Sequence, residues 1–112
     1  MEEKNAINAL AALAQEHRLR IFRLLVRNGT GGMPASHVAE AVGISRTSVS
    51  FHLKELENSG LLRSWREGRN IRYAVHVHGM RELLAFLTED CCDGNPEICG
   101  DTIVRAKTAC EC

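Results

Sequence analysis

Residues 42–60 read VGISRTSVSFHLKELENSG, and two short signals inside this stretch decide how the rest of the chain is understood. Gly43 ends one apolar pattern, and Ser45 opens another two residues later. From there Val49, Leu53 and Leu56 recur at helical spacing, giving one apolar stripe on a helix that Gly60 stops. Ser45 carries the side-chain oxygen that the free N–H groups of a helix start require. Gly43 has no Cβ and suits the left-handed conformation that closes a helix. Upstream, Ala35, Val38, Ala39 and Val42 fall at i, i+3, i+4 and i+7, and Pro34 can open that helix because its missing N–H costs nothing in the first turn. Two helices meeting through Gly-Ile-Ser form a helix-turn-helix.

Working outward, residues 5–14 and 17–27 read as two further helices, the second with Ile21, Leu24 and Leu25 on one side. The run NGTGG at 28–32 separates them from Pro34. Downstream, LLRSWREGRNIRYAVHV at 61–77 changes to strand character, with Glu67-Gly68-Arg69-Asn70 as a hairpin tip between Trp65, Ile71, Tyr73, Val75 and Val77. A last helix at about 79–89 carries Met80, Leu83, Leu84 and Leu87 on one stripe. The expected fold is mostly α with a small β-hairpin, in the order α-α-α-α-β-β-α: a winged helix-turn-helix over residues 1–90, followed by a cysteine-rich tail over 91–112.

Charge divides the chain in the same way. Net charge is zero, yet residues 45–75 hold six basic against three acidic side chains, while 89–112 hold six acidic against two basic. A basic middle suits a polyanion, and an acidic, thiol-rich end suits a cationic or electrophilic ligand. With 112 residues the core is modest, the circumstance in which a second subunit often covers remaining apolar surface. No apolar run reaches membrane-spanning length and MEEKNAINAL lacks a signal-peptide layout, so the expectation is a cytoplasmic protein with no membrane partner.

SRTSVSFHLKELENSGLLRSWREGRNIRYAV resembles the recognition helix and wing of the ArsR/SmtB repressors, and LAQEHRLRIFRLL resembles their second helix. The likeness spans about residues 5–90. It implies a homodimer paired through the first and last helices, with Leu10, Leu83, Leu84 and Leu87 at the interface. It also implies double-stranded operator DNA, an imperfect palindrome, as partner. A helix in the major groove reads base edges with side chains near its N-terminus. The helical wheel turns Thr47, Ser50, Phe51 and Lys54 away from the core stripe, with Arg46 and Ser48 at the N-terminal end. On the hairpin, Arg66, Arg69 and Arg72 are placed for the flanking backbone or minor groove. Phe51 suits either a thymine methyl or packing against the wing, and His52, one residue from the stripe, suits either DNA contact or packing.

All five cysteines fall in the final 22 residues: Cys91, Cys92, Cys99, Cys110 and Cys112. In a reducing compartment such a cluster points to metal or redox chemistry more than to a disulfide framework. Soft thiolates select soft ions. Three of them suit trivalent arsenic or antimony, whereas zinc favours a tetrahedron. Asp93-Gly94-Asn95-Pro96 is a bend able to return Cys99 towards Cys91 and Cys92. The cysteine-free GGMPASHVAEA lacks the Cys-x-Cys pair of the familiar arsenic-sensing relatives. The resemblance is instead to atypical arsenic repressors with a vicinal Cys pair and a third Cys after the last helix. Cys110 and Cys112 are candidate additional ligands, while His76 and His78 read as surface or packing residues.

The expected function is a repressor that leaves its operator when trivalent arsenic or antimony binds Cys91, Cys92 and Cys99, with no organic cofactor. Three alternatives stand beside it: a cadmium, lead or zinc sensor using four tail thiolates, a thiol redox sensor, and a metal buffer or carrier. An enzyme is disfavoured. Thiol-based arsenate reduction needs a Cys-x5-Arg loop, and at that spacing Cys91 and Cys92 are followed by Glu97 and Ile98.

Overall fold

The computed structural model describes residues 1–88. All five cysteines, and with them the division at residues 90/91, lie outside the described residues. Eight elements follow one another: α1 (Glu3–Leu13), α2 (Glu16–Asn28), β1 (Met33–Pro34), α3 (Ala35–Val42), α4 (Arg46–Asn58), β2 (Leu62–Glu67), β3 (Asn70–Val75) and α5 (Val77–Thr88). The winged helix-turn-helix is present as expected, with one addition. Met33 and Pro34 pair antiparallel with Tyr73 and Arg72, so the hairpin becomes a three-stranded sheet in the order β1-β3-β2. Proline has no N–H to give a ladder, and β1 accordingly lies at a sheet edge. Pro34 is extended (φ −65°, ψ 149°) and caps α3 rather than forming its first turn.

The helix-turn-helix is built by the signals that announce it. Gly43 sits at φ 79°, ψ 33°, and its N–H reaches the Ala39 carbonyl at 2.8 Å. The Ser45 side chain then accepts the Ser48 N–H at 3.1 Å. At the far end of α4 the N–H groups of Gly60 and Leu61 turn back to the carbonyls of Glu57 and Leu56. That double closure turns the chain into β2. Gly68, at φ 65°, leads the two-residue turn that pairs Glu67 with Asn70.

One core holds these parts. Ile21 and Leu25 of α2, Val38 of α3 and Val49, Leu53 and Leu56 of α4 are fully buried, joined by Leu61, Leu62, Tyr73, Val75 and Leu83. Leu24 is only partly buried at its margin. The buried residues of α1 are alanines, Ala6, Ala9 and Ala12, with Leu13 partly buried against the core, while Ile7 and Leu10 point outward. Small residues at that spacing let α1 lie close to its neighbours.

Two expectations shift at α5. Val77 is helical, because the helix begins two residues earlier than its apolar pattern indicates. His76 caps it, Nδ1 accepting the Gly79 N–H at 3.2 Å. Gly79 is buried so tightly that a Cβ there would collide with the Gly60 carbonyl oxygen. The start of α5 is therefore wedged against the corner between α4 and β2. Among the described residues, no helix is long and apolar enough to cross a membrane.

Candidate nucleic-acid interface

The outward side of α4 is the polar surface the wheel describes. Arg46, Thr47, Ser48, Ser50, Phe51 and Lys54 are all exposed, as are Arg66 and Arg69 on the hairpin. A groove runs between α4 and the wing, lined by Ser36, Arg46, Ser50, Arg69, Asn70 and Tyr73. Helix and hairpin thus present hydroxyls and guanidinium groups to one shared concavity. Burial pushes the Tyr73 phenol up from its usual pKa. Ser36 and Asn70 join the groove without any signal in the sequence pattern. Both sit at element ends, where no periodicity marks them.

Two candidates are committed elsewhere. The Arg72 Nη2 donates to the Gly32 carbonyl at 2.9 Å and its Nε to the Gly31 carbonyl at 3.2 Å, with the Glu67 carboxylate 3.6 Å away. This guanidinium pins the 28–32 loop to the central strand, and reaching a phosphate would require it to leave three oxygen partners. His52 turns the opposite way, towards α2. Its Nδ1 lies 3.4 Å from the Arg18 Nη1, and its ring stands 5.7 Å from that of His17. An arginine has only protons to offer, so Nδ1 accepts and the ring is neutral there. Burial, seconded by the Arg18 and His17 charges and opposed by Glu55, holds the His52 pKa below 6.5. Arg18 also donates to the Ala12 carbonyl at 2.7 Å, so one side chain ties α1, α2 and α4 together.

Lys54 keeps an exposed ammonium but is not free-swinging. It lies 3.5 Å from Glu57, whose carboxylate also accepts the Ser64 hydroxyl. The ion pair lies within α4, and the Ser64 hydrogen bond ties α4 to β2. Phe51 stays 59 % exposed, with the His52 ring at 5.5 Å edge-on as its aromatic neighbour. The alternative that it packs away against the wing does not hold.

The dimer candidates divide as well. Leu83 is buried in the chain's own core, Leu84 is partly buried, and Leu10 and Leu87 are exposed, at 42 % and 51 %. Among the described residues, no group of three or more His, Cys, Asp or Glu side chains is placed to hold a metal ion. His76 caps α5, and His78 stands 3.2 Å from Glu82, in line with the packing and surface roles expected of them.

Residues 13–64 match the family model described as a helix-turn-helix domain. The HTH-type transcriptional regulator NmtR of Mycobacterium tuberculosis is 39 % identical over 77 residues, which are 69 % of this chain and 62 % of that protein. Among solved structures, an ArsR-like transcriptional regulator from Rhodococcus sp. RHA1 superposes with a TM-score of 0.70 at 26 % identity, covering 85 % of this chain and 87 % of the other. The homodimeric winged helix-turn-helix DNA-binding domain of a Mycobacterium bovis protein superposes at 0.63 with 27 % identity, covering 84 % and 83 %. In sequence and fold the chain is thus similar to ArsR-family regulators. The match to NmtR spans less than two thirds of that protein's length. Within this winged helix-turn-helix fold, α3 and α4 are the helix-turn-helix and β2–β3 the wing. The relatives carry the names of transcriptional regulators, not of enzymes.

Proposed function

We propose that this protein is a homodimeric transcriptional repressor of the ArsR/SmtB type that grips an imperfectly palindromic operator and releases it when trivalent arsenic or antimony binds Cys91, Cys92 and Cys99. The observation that carries the DNA-binding part is the groove between α4 and the wing, which Arg46 and Arg69 line together with hydroxyl and amide groups. Positive charge beside small donors is what a phosphate backbone flanking readable base edges requires. A two-fold dimer repeats this surface, so half-sites fall one helical turn, about 34 Å, or a multiple apart.

Pairing is supported by the apolar residues that the single chain leaves uncovered. Ile7 and Leu10 on α1 and Leu87 on α5 are exposed, and these two helices pack against each other. The inducer is argued from chemistry: three thiolates form a soft, three-point donor set. They follow α5, whose first turn is wedged against the end of α4 at Gly79 and Gly60. A tilt of α5 would therefore be passed to the reading helix. Release requires the ion to favour the DNA-incompetent arrangement, and DNA must then weaken ion binding by the same factor.

The test is a mobility-shift assay on the upstream DNA at fixed salt, titrated with arsenite, antimonite, cadmium and zinc. Wild type should release with the metalloids, while Cys91→Ser and Cys99→Ser should bind DNA normally and stay bound. Release of these variants at the wild-type concentration would reject the ligand assignment. Release by cadmium or zinc alone, abolished by Cys110→Ser, would favour the four-thiolate reading.

A further inference from the structure

The least expected side chain on the outward face of α4 is Phe51, which keeps 59 % of its surface in solvent. It lies opposite the stripe of Val49, Leu53 and Leu56, near the middle of the helix. It is also braced. The His52 ring stands edge-on at 5.5 Å, and His52 is itself fixed through Arg18 and His17 to α2. The phenyl group is thus presented outward on a supported base.

Its neighbours sharpen the question of what it meets. Between Thr47 and Lys54 the exposed face offers only Ser48, Ser50 and Phe51. The bidentate readers of guanine and adenine, namely Arg, Lys, Asn and Gln, are missing from that central span. Within the major-groove code, the element that an apolar ring can read is the thymine C5-methyl group. The exposed arginines of the groove and wing bring polyanion to this face. A hydrocarbon surface at its centre then has a methyl as its matching contact.

We propose that Phe51 is a specificity-determining residue that selects a thymine in each operator half-site by packing against its methyl group. This rests on the DNA-binding function proposed above and adds the base it reads. Hydroxyls, a ring and flanking cations make a reader biased towards A·T pairs at the centre of each half-site. Guanine recognition is left to Arg46 at the helix start.

The experiment begins by selecting duplexes from a randomised library with the purified full chain at fixed salt. In the enriched duplex each thymine is replaced singly by deoxyuridine, which removes the methyl and preserves pairing. One thymine per half-site should stand out, its replacement weakening wild-type binding about fourfold per half-site, the worth of one buried methyl-sized group. Phe51→Ala should bind more weakly and be indifferent to that replacement, whereas Phe51→Leu should regain part of the sensitivity. At the same position, 5-methylcytosine should bind wild type more tightly than cytosine. Phe51 is exposed, so these variants should melt with the wild type. Uracil indifference in wild type, or an equal uracil penalty in Phe51→Ala, would overturn the assignment while leaving DNA binding intact. Failure to enrich any duplex would instead remove the function on which it rests.

Discussion

Among the described residues, α1 and α4 each leave large apolar side chains in water, and the two helices are built on opposite plans. On α1 the buried side is alanine, at Ala6, Ala9 and Ala12, and the larger Ile7 and Leu10 point outward. On α4 the large side chains Val49, Leu53 and Leu56 are buried, and the outward side is hydroxyl, lysine and arginine around one phenyl ring. The α1 plan suits a dry partner able to bury aliphatic surface, as the centre of a protein interface does. The α4 plan suits a wet, charged partner with few apolar points. On the function proposed above, one winged helix-turn-helix domain carries a surface for its own copy on α1 and another for a polyanion on α4.

The strongest way to break this contrast is to charge the α1 face. Ile7→Asp combined with Leu10→Asp should leave the protomer folded, because both side chains are exposed, yet convert a dimer to a monomer by sedimentation. Operator affinity should then fall by about a hundredfold or more, since the second half-site no longer binds as a tethered site. A double variant that stays dimeric would show that pairing uses another face.

A smaller effect separates the two kinds of arginine on the wing. Arg72→Ala removes hydrogen bonds from a guanidinium to the Gly31 and Gly32 carbonyls and should destabilise the fold by about 1.5–3 kcal/mol in urea denaturation. Arg69→Ala, at an exposed turn, should leave stability unchanged. It should instead lower the slope of log affinity against log salt by about one for each phosphate that Arg69 neutralises. Interchanged results would mean that the loop-pinning hydrogen bonds of Arg72 matter less than its charge.

How much of this is legible in the sequence follows from the physics of each signal. The turn between α3 and α4 is readable because Gly43 and Ser45 each have one strong local reason to be there. β1 is not, since two residues have no periodicity and Met33 and Pro34 become a strand only by pairing with β3. The start of α5 is hidden in the same way: His76 acts as a cap through Nδ1, a role that histidine composition does not announce. At the candidate site, helical spacing sorts α4 into inner and outer faces. It cannot show that Arg72 and His52 are held by partners 40 and 34 residues distant in sequence. Long-range polar interactions decide which exposed-looking side chains are free, and a pattern of apolar spacing is blind to them.

The smallest expected effect concerns that inner flank of α4. Burial lowers the His52 pKa beneath 6.5, and Arg18 and His17 push in the same direction against Glu55. The folded chain therefore binds this proton less readily than the unfolded chain. Stability associated with the neutral ring is fully present above about 6.5, declines as pH falls from there towards the folded-state value, and levels off below it. His52→Gln retains an acceptor for Arg18 but cannot titrate. Urea midpoints of wild type and variant, compared from about pH 7.5 to about pH 5.5, should diverge only on the acid side, with wild type losing more. Parallel midpoints throughout would mean that His52 is as easily protonated in the fold as out of it. The hydrogen bond to Arg18 would then not be what holds α4 in place, and the bracing assigned to the Phe51 ring would weaken with it.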